Sequence, residues 1–333
     1  MSVASNPADR RPLIVIPDDI VGAYSGSPRL SALQPLGSVR VFSDKAGSEQ
    51  ELGDRISDAS AVISFRPAFT RFTAAILQRC PFLRILSVSG TGLGDVDLDA
   101  AGKARVAVAN VPGPSNRAVA EHALALILDV ARSITLQDRA IRDGKWQSLQ
   151  GIELAGRTIG LVGMGGIAQE LAGIASALGM KVLSWSRNND APRAASVGAE
   201  PAELADLLGA SDVVSMHLNL NKDTAGIADA RFFAAMKAGA IFINTARGKL
   251  VDEAALVGAL KNGHLRGAGL DVFNAEPPTA DDPIRSMPNV VMTPVGAWNT
   301  SDASDRMIAV SIENVLRFFD GSPQNVAPET RKF

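Results

Sequence analysis

The sequence predicts an α/β protein made of two doubly wound parallel-sheet domains, and three observations carry that expectation. Short, mostly apolar runs of about four to six residues alternate with helical segments along the chain, as strands covered on both faces by helices do. The alternation is punctuated at Asn110-Val111-Pro112-Gly113-Pro114 and resumes after a long helical pattern. Between Thr158 and Arg187, in TIGLVGMGGIAQELAGIASALGMKVLSWSR, an apolar run enters a glycine-dense turn. An amphipathic helix and a second apolar run follow.

Composition agrees with this picture. A chain of 333 residues, 46% hydrophobic and 20% charged, has ample core for two domains. Its net charge of -2 and pI near 6.0 lack the concentrated basic field that nucleic acid or an anionic membrane surface requires. The single cysteine, Cys80, cannot form an internal disulfide and reads as a small packed hydrophobe. The polar start MSVASNPADRRP has no apolar signal core behind it, and the apolar stretch from Ala123 to Val130 is interrupted by Asp129 and too short to span a bilayer. A cytoplasmic location without a membrane partner is therefore expected.

In chain order, the first strands are expected at Leu13 to Ile16, Val39 to Phe42, Ala61 to Phe65, Ile85 to Val88 and Val106 to Ala109. Ser48-Glu49-Gln50-Glu51 has capping-box spacing and should open a helix. After the Pro-Gly-Pro punctuation, Arg117 to about Arg142 reads as one long helix, its apolar positions Val119, Ala123, Leu126, Ile127, Val130 and Ile134 recurring at three and four. Strands then follow at Thr158, Val182 to Ser186, Val213 to Met216, Ala240 to Asn244, Gly267 to Val272 and Val290 to Thr293. Ser301 to Phe318 is a closing helix that returns to the first domain. The predicted division is a first domain at 1–110 plus about 300–333, and a second, carrying the glycine-dense turn, at about 111–299.

The turn Gly163-Met164-Gly165-Gly166-Ile167-Ala168 is the dinucleotide fingerprint with alanine in its third glycine position. A strand precedes it and a helix follows, so the backbone N–H groups at the helix start would face a pyrophosphate. Both domains are accordingly expected to be Rossmann-like or flavodoxin-like. About twenty residues on, an NAD site carries an acidic residue for the ribose. This chain has Ser186 and Arg187 there. No carboxylate at that position repels a 2′-phosphate, and a guanidinium pairs with one bidentately, so NADP(H) is preferred over NAD(H).

Further stretches add a resemblance: Ile243-Asn244-Thr245-Ala246-Arg247-Gly248 with Val251-Asp252-Glu253, Gly267 to Phe273 with Glu276-Pro277, Thr293-Pro294, and Val119-Ala120-Glu121-His122. Together with the glycine turn they resemble, in order and spacing over nearly the whole chain, the D-isomer-specific 2-hydroxyacid dehydrogenase family. The resemblance implies that Arg247 binds the substrate carboxylate and carbonyl, and that the Gly90-Thr91-Gly92 loop, with Thr91 and Gly92, receives the carboxylate. It further implies that Asp271 holds the nicotinamide side of the cofactor, with Thr245 and Ala246 beside it. Arg66 resembles a substrate-side arginine. A planar, permanently charged guanidinium suits a 2-oxo acid and the alkoxide that forms on hydride transfer. The implied partners are a small 2-oxo or 2-hydroxy acid and a second copy of the chain, as a homodimer in which the 117–142 helix would serve.

One position departs from the family. Its proton donor is a histidine directly after Thr-Pro, paired with a glutamate at the place of Glu276, and here the sequence reads Thr293-Pro294-Val295. Valine exchanges no proton, and general acid catalysis commonly contributes about 10² to 10⁴ in rate. Glu276 as a desolvated carboxyl, Lys249, Tyr24, Arg66 and His217 are the substitutes considered; His122 reads as packed or hydrogen-bonded and His264 as exposed, and no metal-ligand spacing links the three histidines. The expected function is an oxidoreductase with a non-standard proton donor. The alternative is an NADP(H)-binding sensor that has lost the reaction.

Overall fold

The computed structural model describes residues 11–65, 68–187 and 191–331. The chain divides into two compact units, 1–114 with 301–333, and 115–300.

The first unit holds five parallel strands, β1 (Leu13–Ile16), β2 (Ser38–Val41), β3 (Ala61–Ser64), β4 (Ile85–Val88) and β5 (Ala107–Ala109), in the order β2-β1-β3-β4-β5. Its helices are α1 (Glu49–Ile56), α2 (Ala74–Gln78) and α3 (Leu98–Lys103). Ser48 caps α1 by accepting from Glu51 N at 3.1 Å, as the capping-box spacing requires. Register puts Val15, Val62, Leu86 and Val108 in one row and Ile14, Ala61, Ile85 and Ala107 in the next. Side chains alternate across a strand, so the first row packs with Ile56, Ile76 and Leu77 while the second packs on the opposite face. That opposite face is covered by the closing helix of the chain (Ser301–Phe319), through Ile308, Ile312, Val315 and Phe318.

The second unit opens with α4 (Asn116–Arg132) and α5 (Ile134–Arg142). The single helix expected over 117–142 is thus two: Ser133 adopts a left-handed conformation with φ 52° and ends α4. Asp129 then accepts from the Thr135 N–H at 2.8 Å and from its hydroxyl, giving α5 its own start. The apolar periodicity runs through Ile134 and hides this break. α5 buries none of its residues.

Beyond α5 lie β6 (Thr158–Val162), α6 (Gly166–Ala177), β7 (Lys181–Trp185), α7 (Ala191–Ala195), β8 (Glu200–Pro201), α8 (Leu204–Ala210), β9 (Val213–Met216), α9 (Ala230–Ala235), β10 (Ala240–Asn244), α10 (Glu253–Lys261), β11 (Leu265–Leu270) and β12 (Val290–Met292); the closing helix of the first unit is α11. All seven strands are parallel, in the order β12-β11-β10-β9-β6-β7-β8. β8 was not expected: two residues, one of them proline, carry no strand periodicity, and they sit at the sheet edge where proline is tolerated. From β6 the chain winds outward through β7 and β8, then returns to β9 and winds the other way. The switch point therefore lies at the carboxyl ends of β6 and β9, where open α/β sheets place their ligands. No helix among the described residues is long and apolar enough to cross a membrane.

Candidate functional site

At the end of β6 the backbone turns through Gly163 at φ +105°, a conformation open to glycine, and a Cβ there would lie 2.8 Å from the carbonyl carbon and oxygen of His217. Gly165 precedes α6 with no side-chain cap. The first N–H groups of α6 therefore lack a capping acceptor from their own N-cap, and they carry the positive end of a twelve-residue helix. Gly165 and Gly166 are exposed, Ile167 is half-buried and Met164 is buried. A Cβ on Gly166 would lie 2.1 Å from Asn116 Nδ2. Ala168, in the third glycine position, has no exposed surface and packs among Leu161, Leu171 and Ile127, which accounts for the tolerance of alanine there. The turn fits a pyrophosphate: the cradle exists because side chains are absent from it, and the helix start supplies donors.

Beyond β7, Ser186 is half-buried and Arg187 exposed. They line a pocket of about 140 Å³ together with Met164, Ser184, Trp185 and Glu203. Arg187 Nη2 lies 3.1 Å from Asp223 Oδ2. The acidic residue missing from the end of β7 is thus offset by two carboxylates from elsewhere in the unit. Their positions in sequence give no sign of this.

At the ends of β10 and β11 the backbone is organised by buried polar side chains. Asn244, 1% exposed, accepts from Ala246 N and donates to Arg247 O, both at 3.0 Å, so Thr245-Ala246-Arg247 forms a tight loop. Thr245 Oγ1 is buried with no partner among the described residues. Arg247 is exposed, its Nη1 donating to Ala246 O at 2.6 Å. Asp271, 2% exposed, gathers the next turn: Oδ1 accepts from Thr293 Oγ1 at 2.6 Å and Gly296 N at 2.8 Å, Oδ2 accepts from Ala297 N at 3.0 Å, and the Asp271 carbonyl accepts from Val295 N at 2.9 Å. Because the Thr293 hydroxyl hydrogen points to Asp271, its oxygen can only accept from His122, whose Nε2 lies 2.9 Å away. His122 therefore carries a proton on Nε2, in the hydrogen-bonded role expected of it. Asp271, expected to hold the nicotinamide side, has both carboxylate oxygens engaged by this turn.

Val295 sits at φ +54° in that turn and is 37% exposed. A β-branched residue in the left-handed region is a strained placement. The backbone here follows Asp271 rather than the preference of valine.

The substitute proton donors fare unequally. Glu276 is exposed, its Oε1 accepting from Phe273 N at 3.1 Å, so the expected desolvation is absent. Lys249 is exposed. His217 Nε2 is buried with no partner among the described residues, and burial pushes the ring down to about 4, which leaves it neutral at physiological pH. His264, expected to be exposed, is half-buried, with Nε2 2.9 Å from Met236 O; the tight turn Asn262-Gly263 folds it back. Tyr24 is fully buried in the first unit, its hydroxyl 2.7 Å from Ser311 Oγ, and burial pushes its pKa up, so it is a core residue.

In the first unit Thr91 and Gly92 are exposed. The Thr91 hydroxyl donates to Val111 O and accepts from Gly113 N, both at 3.1 Å, which ties the loop to the segment after β5. Arg66 lies outside the described residues. Asp18, which no sequence pattern marks, is buried at the end of β1 and accepts from Ser64 Oγ at 2.9 Å and Phe65 N at 2.8 Å, holding the end of β3; burial raises its pKa.

An open helix start at the switch point of a parallel sheet, behind a glycine turn, places the chain among the dinucleotide-binding α/β proteins. Residues 124–297 match the family model for the D-isomer specific 2-hydroxyacid dehydrogenase NAD binding domain. The chain belongs to the D-isomer-specific 2-hydroxyacid dehydrogenase family. It is 33% identical over 303 residues to a hydroxypyruvate reductase of Blautia hydrogenotrophica, covering 88% of this chain and 93% of that one. It is 37% identical over 256 residues to D-3-phosphoglycerate dehydrogenase of Archaeoglobus fulgidus, covering 76% of this chain and 49% of the relative, so it spans about half the length of that enzyme. Among solved structures, an acyclic imino acid reductase in complex with NADPH and D-Arg matches with a TM-score of 0.81 at 31% identity, covering 95% of this chain and 99% of that one.

Proposed function

We propose that the chain is an NADP(H)-dependent oxidoreductase acting on a small 2-oxo or 2-hydroxy acid, with no proton supplied by the side chain at position 295. The observation that carries the reading is the retention of Arg247, exposed on a loop fixed by buried Asn244, in a unit that also keeps the glycine turn. A nicotinamide cofactor, when bound, supplies the hydride. Gly163, Met164, Gly165, Gly166 and Ile167 would hold its pyrophosphate, Ser186 and Arg187 its phosphorylated ribose, and Thr245, Ala246 and Asp271 its nicotinamide side. Arg247 orients the substrate carboxylate and stabilises negative charge on the reacting oxygen. Arg66, Thr91 and Gly92 would complete the substrate side, and Glu276 is the retained carboxylate of the catalytic pair. The neighbour solved with NADPH supports the phosphorylated cofactor.

A second reading is favoured by Val295. When hydride adds to a carbonyl carbon, the C=O pair leaves an alkoxide that must take a proton. When hydride adds to a protonated imine, the C=N pair settles on a nitrogen already carrying its proton, and a neutral amine results. An apolar residue at position 295 suits the second substrate class, and the similarity to an imino acid reductase points the same way. The deciding experiment measures NADPH oxidation with glyoxylate, hydroxypyruvate, phenylpyruvate and pyruvate, each with and without methylamine. Turnover without amine supports the oxo acid reading, and turnover dependent on amine supports the imine reading. Tight NADPH binding with no turnover in any arm leaves the sensor.

A homodimer belongs to the same proposal. α5 buries no residue, and Ile134 and Ile141 on it are 54% and 57% exposed, with Trp146 just beyond at 94%. Exposed apolar groups clustered in one segment suit a contact with a second copy. Ile141→Asp should then give a monomer by light scattering. A cytoplasmic setting completes the reading.

A further inference from the structure

Arg187 is not a bare cation awaiting a phosphate: its guanidinium is paired with Asp223, and the pocket beside it is also lined by Glu203. The two partners differ in freedom. Asp223 sits in a loop built to hold its shape. Asn221 Oδ1 accepts from Asp223 N at 2.9 Å and Thr224 N at 3.2 Å, and the buried Thr224 hydroxyl donates to Asn219 O at 2.7 Å. Arg187 is a long side chain, about half exposed, at the end of β7. The backbone that carries Asp223 is held in place, whereas Arg187 reaches it through a long side chain with more rotatable bonds.

We propose that Asp223 is a specificity-determining residue for the cofactor, a counter-charge on a held loop that Arg187 must leave, or share, to grip a 2′-phosphate. The inference rests on the reading of Arg187 as the phosphate-binding group. NADH leaves the Arg187–Asp223 pair intact. NADPH draws Arg187 onto a dianion while Asp223 stays close by and repels it, so the preference for NADPH is smaller than one arginine would otherwise give. An exposed pair of this kind is modest in strength, so the counter-charge holds the preference down by about five-fold rather than by orders of magnitude.

The test is calorimetric titration of NADPH and NADH into the wild-type chain, Asp223→Asn, Asp223→Glu, Arg187→Leu and the Arg187→Leu/Asp223→Asn double variant, with cofactor-free melting temperatures as the check on folding. The expected result is that Asp223→Asn tightens NADPH about five-fold while NADH stays within about two-fold. Asp223→Glu keeps the wild-type ratio, and Asp223→Asn has no effect on the Arg187→Leu background. If Arg187→Leu weakens NADPH alone but Asp223→Asn leaves the ratio unchanged, or shifts both cofactors alike, the role of Asp223 is overturned and the phosphate site stands. If Arg187→Leu leaves NADPH binding untouched, the phosphate site falls, and the inference with it.

Discussion

Replacing Val295 by histidine tests whether the turn at 293–297 keeps the geometry of an acid position. Val295 lies at φ +54°, where an L-residue gives up about 1 to 2 kcal/mol and a β-branched one is worst placed, whereas histidine enters this region several-fold more readily. With 37% of its surface already in solvent, only part of the burial of valine is forfeited on exchange, and the relief of backbone strain offsets it. Val295→His should therefore leave unfolding free energy within about 1 kcal/mol of wild type. The chemical effect should be larger. An acid within reach of the reacting oxygen restores about 10² to 10⁴ in rate, or roughly 3 to 5 kcal/mol of barrier. NADPH oxidation by glyoxylate or hydroxypyruvate, followed at several pH values, should rise by that factor and fall above about pH 6.5, where the imidazole loses its proton. Amine-dependent turnover should not gain in proportion. If the variant folds and binds NADPH but gains less than about ten-fold with every oxo acid, the inference that residue 295 faces the reacting oxygen is wrong.

Three further outcomes follow from the same geometry. Gly163→Ala forces a Cβ to within 2.8 Å of the His217 carbonyl at a backbone angle unsuited to alanine, and should cost at least about 2 kcal/mol in urea unfolding together with measurable NADPH binding; retained affinity would count against the turn as the pyrophosphate cradle. Asp271→Asn removes the charge that accepts three hydrogen bonds around Val295 and should destabilise by about 2 to 3 kcal/mol, an expectation that a loss below about 0.5 kcal/mol would contradict. For His217 the unfolded ring protonates near 6.5 and the folded one only near 4, so protons favour the unfolded chain between those values. Its contribution, up to about 3 kcal/mol, is whole above pH 6.5 and is lost as pH falls toward 4; His217→Gln should flatten that part of a stability–pH curve, and identical curves would refute the assignment.

The strands were legible because each is a short apolar run: Leu13–Ile16, Ile85–Val88, Val213–Met216 and Ala240–Asn244 lie where the runs place them. β8 was not, since Glu200–Pro201 is polar and held at an edge by pairing with β7. The break at Ser133 was missed because a left-handed serine leaves no mark on the spacing of apolar residues around it. Family membership was readable from motifs contiguous in sequence. The pairing of Arg187 with Asp223 and the His122–Thr293–Asp271 chain were not, because each joins groups 22 to 171 residues apart whose meeting depends on strand order. The apolar residue after Thr293-Pro294 was visible at once, whereas its left-handed backbone at φ +54° needed coordinates.

Asp271 shapes its turn through backbone donors at 295, 296 and 297 and the hydroxyl of Thr293, none of which depends on the side chain at 295. That position behaves as a socket whose mounting is independent of what is plugged into it. Side chains can be exchanged there without rebuilding the loop, so under the proposed role of position 295 a single substitution would change the reaction while the backbone of the turn stays in place.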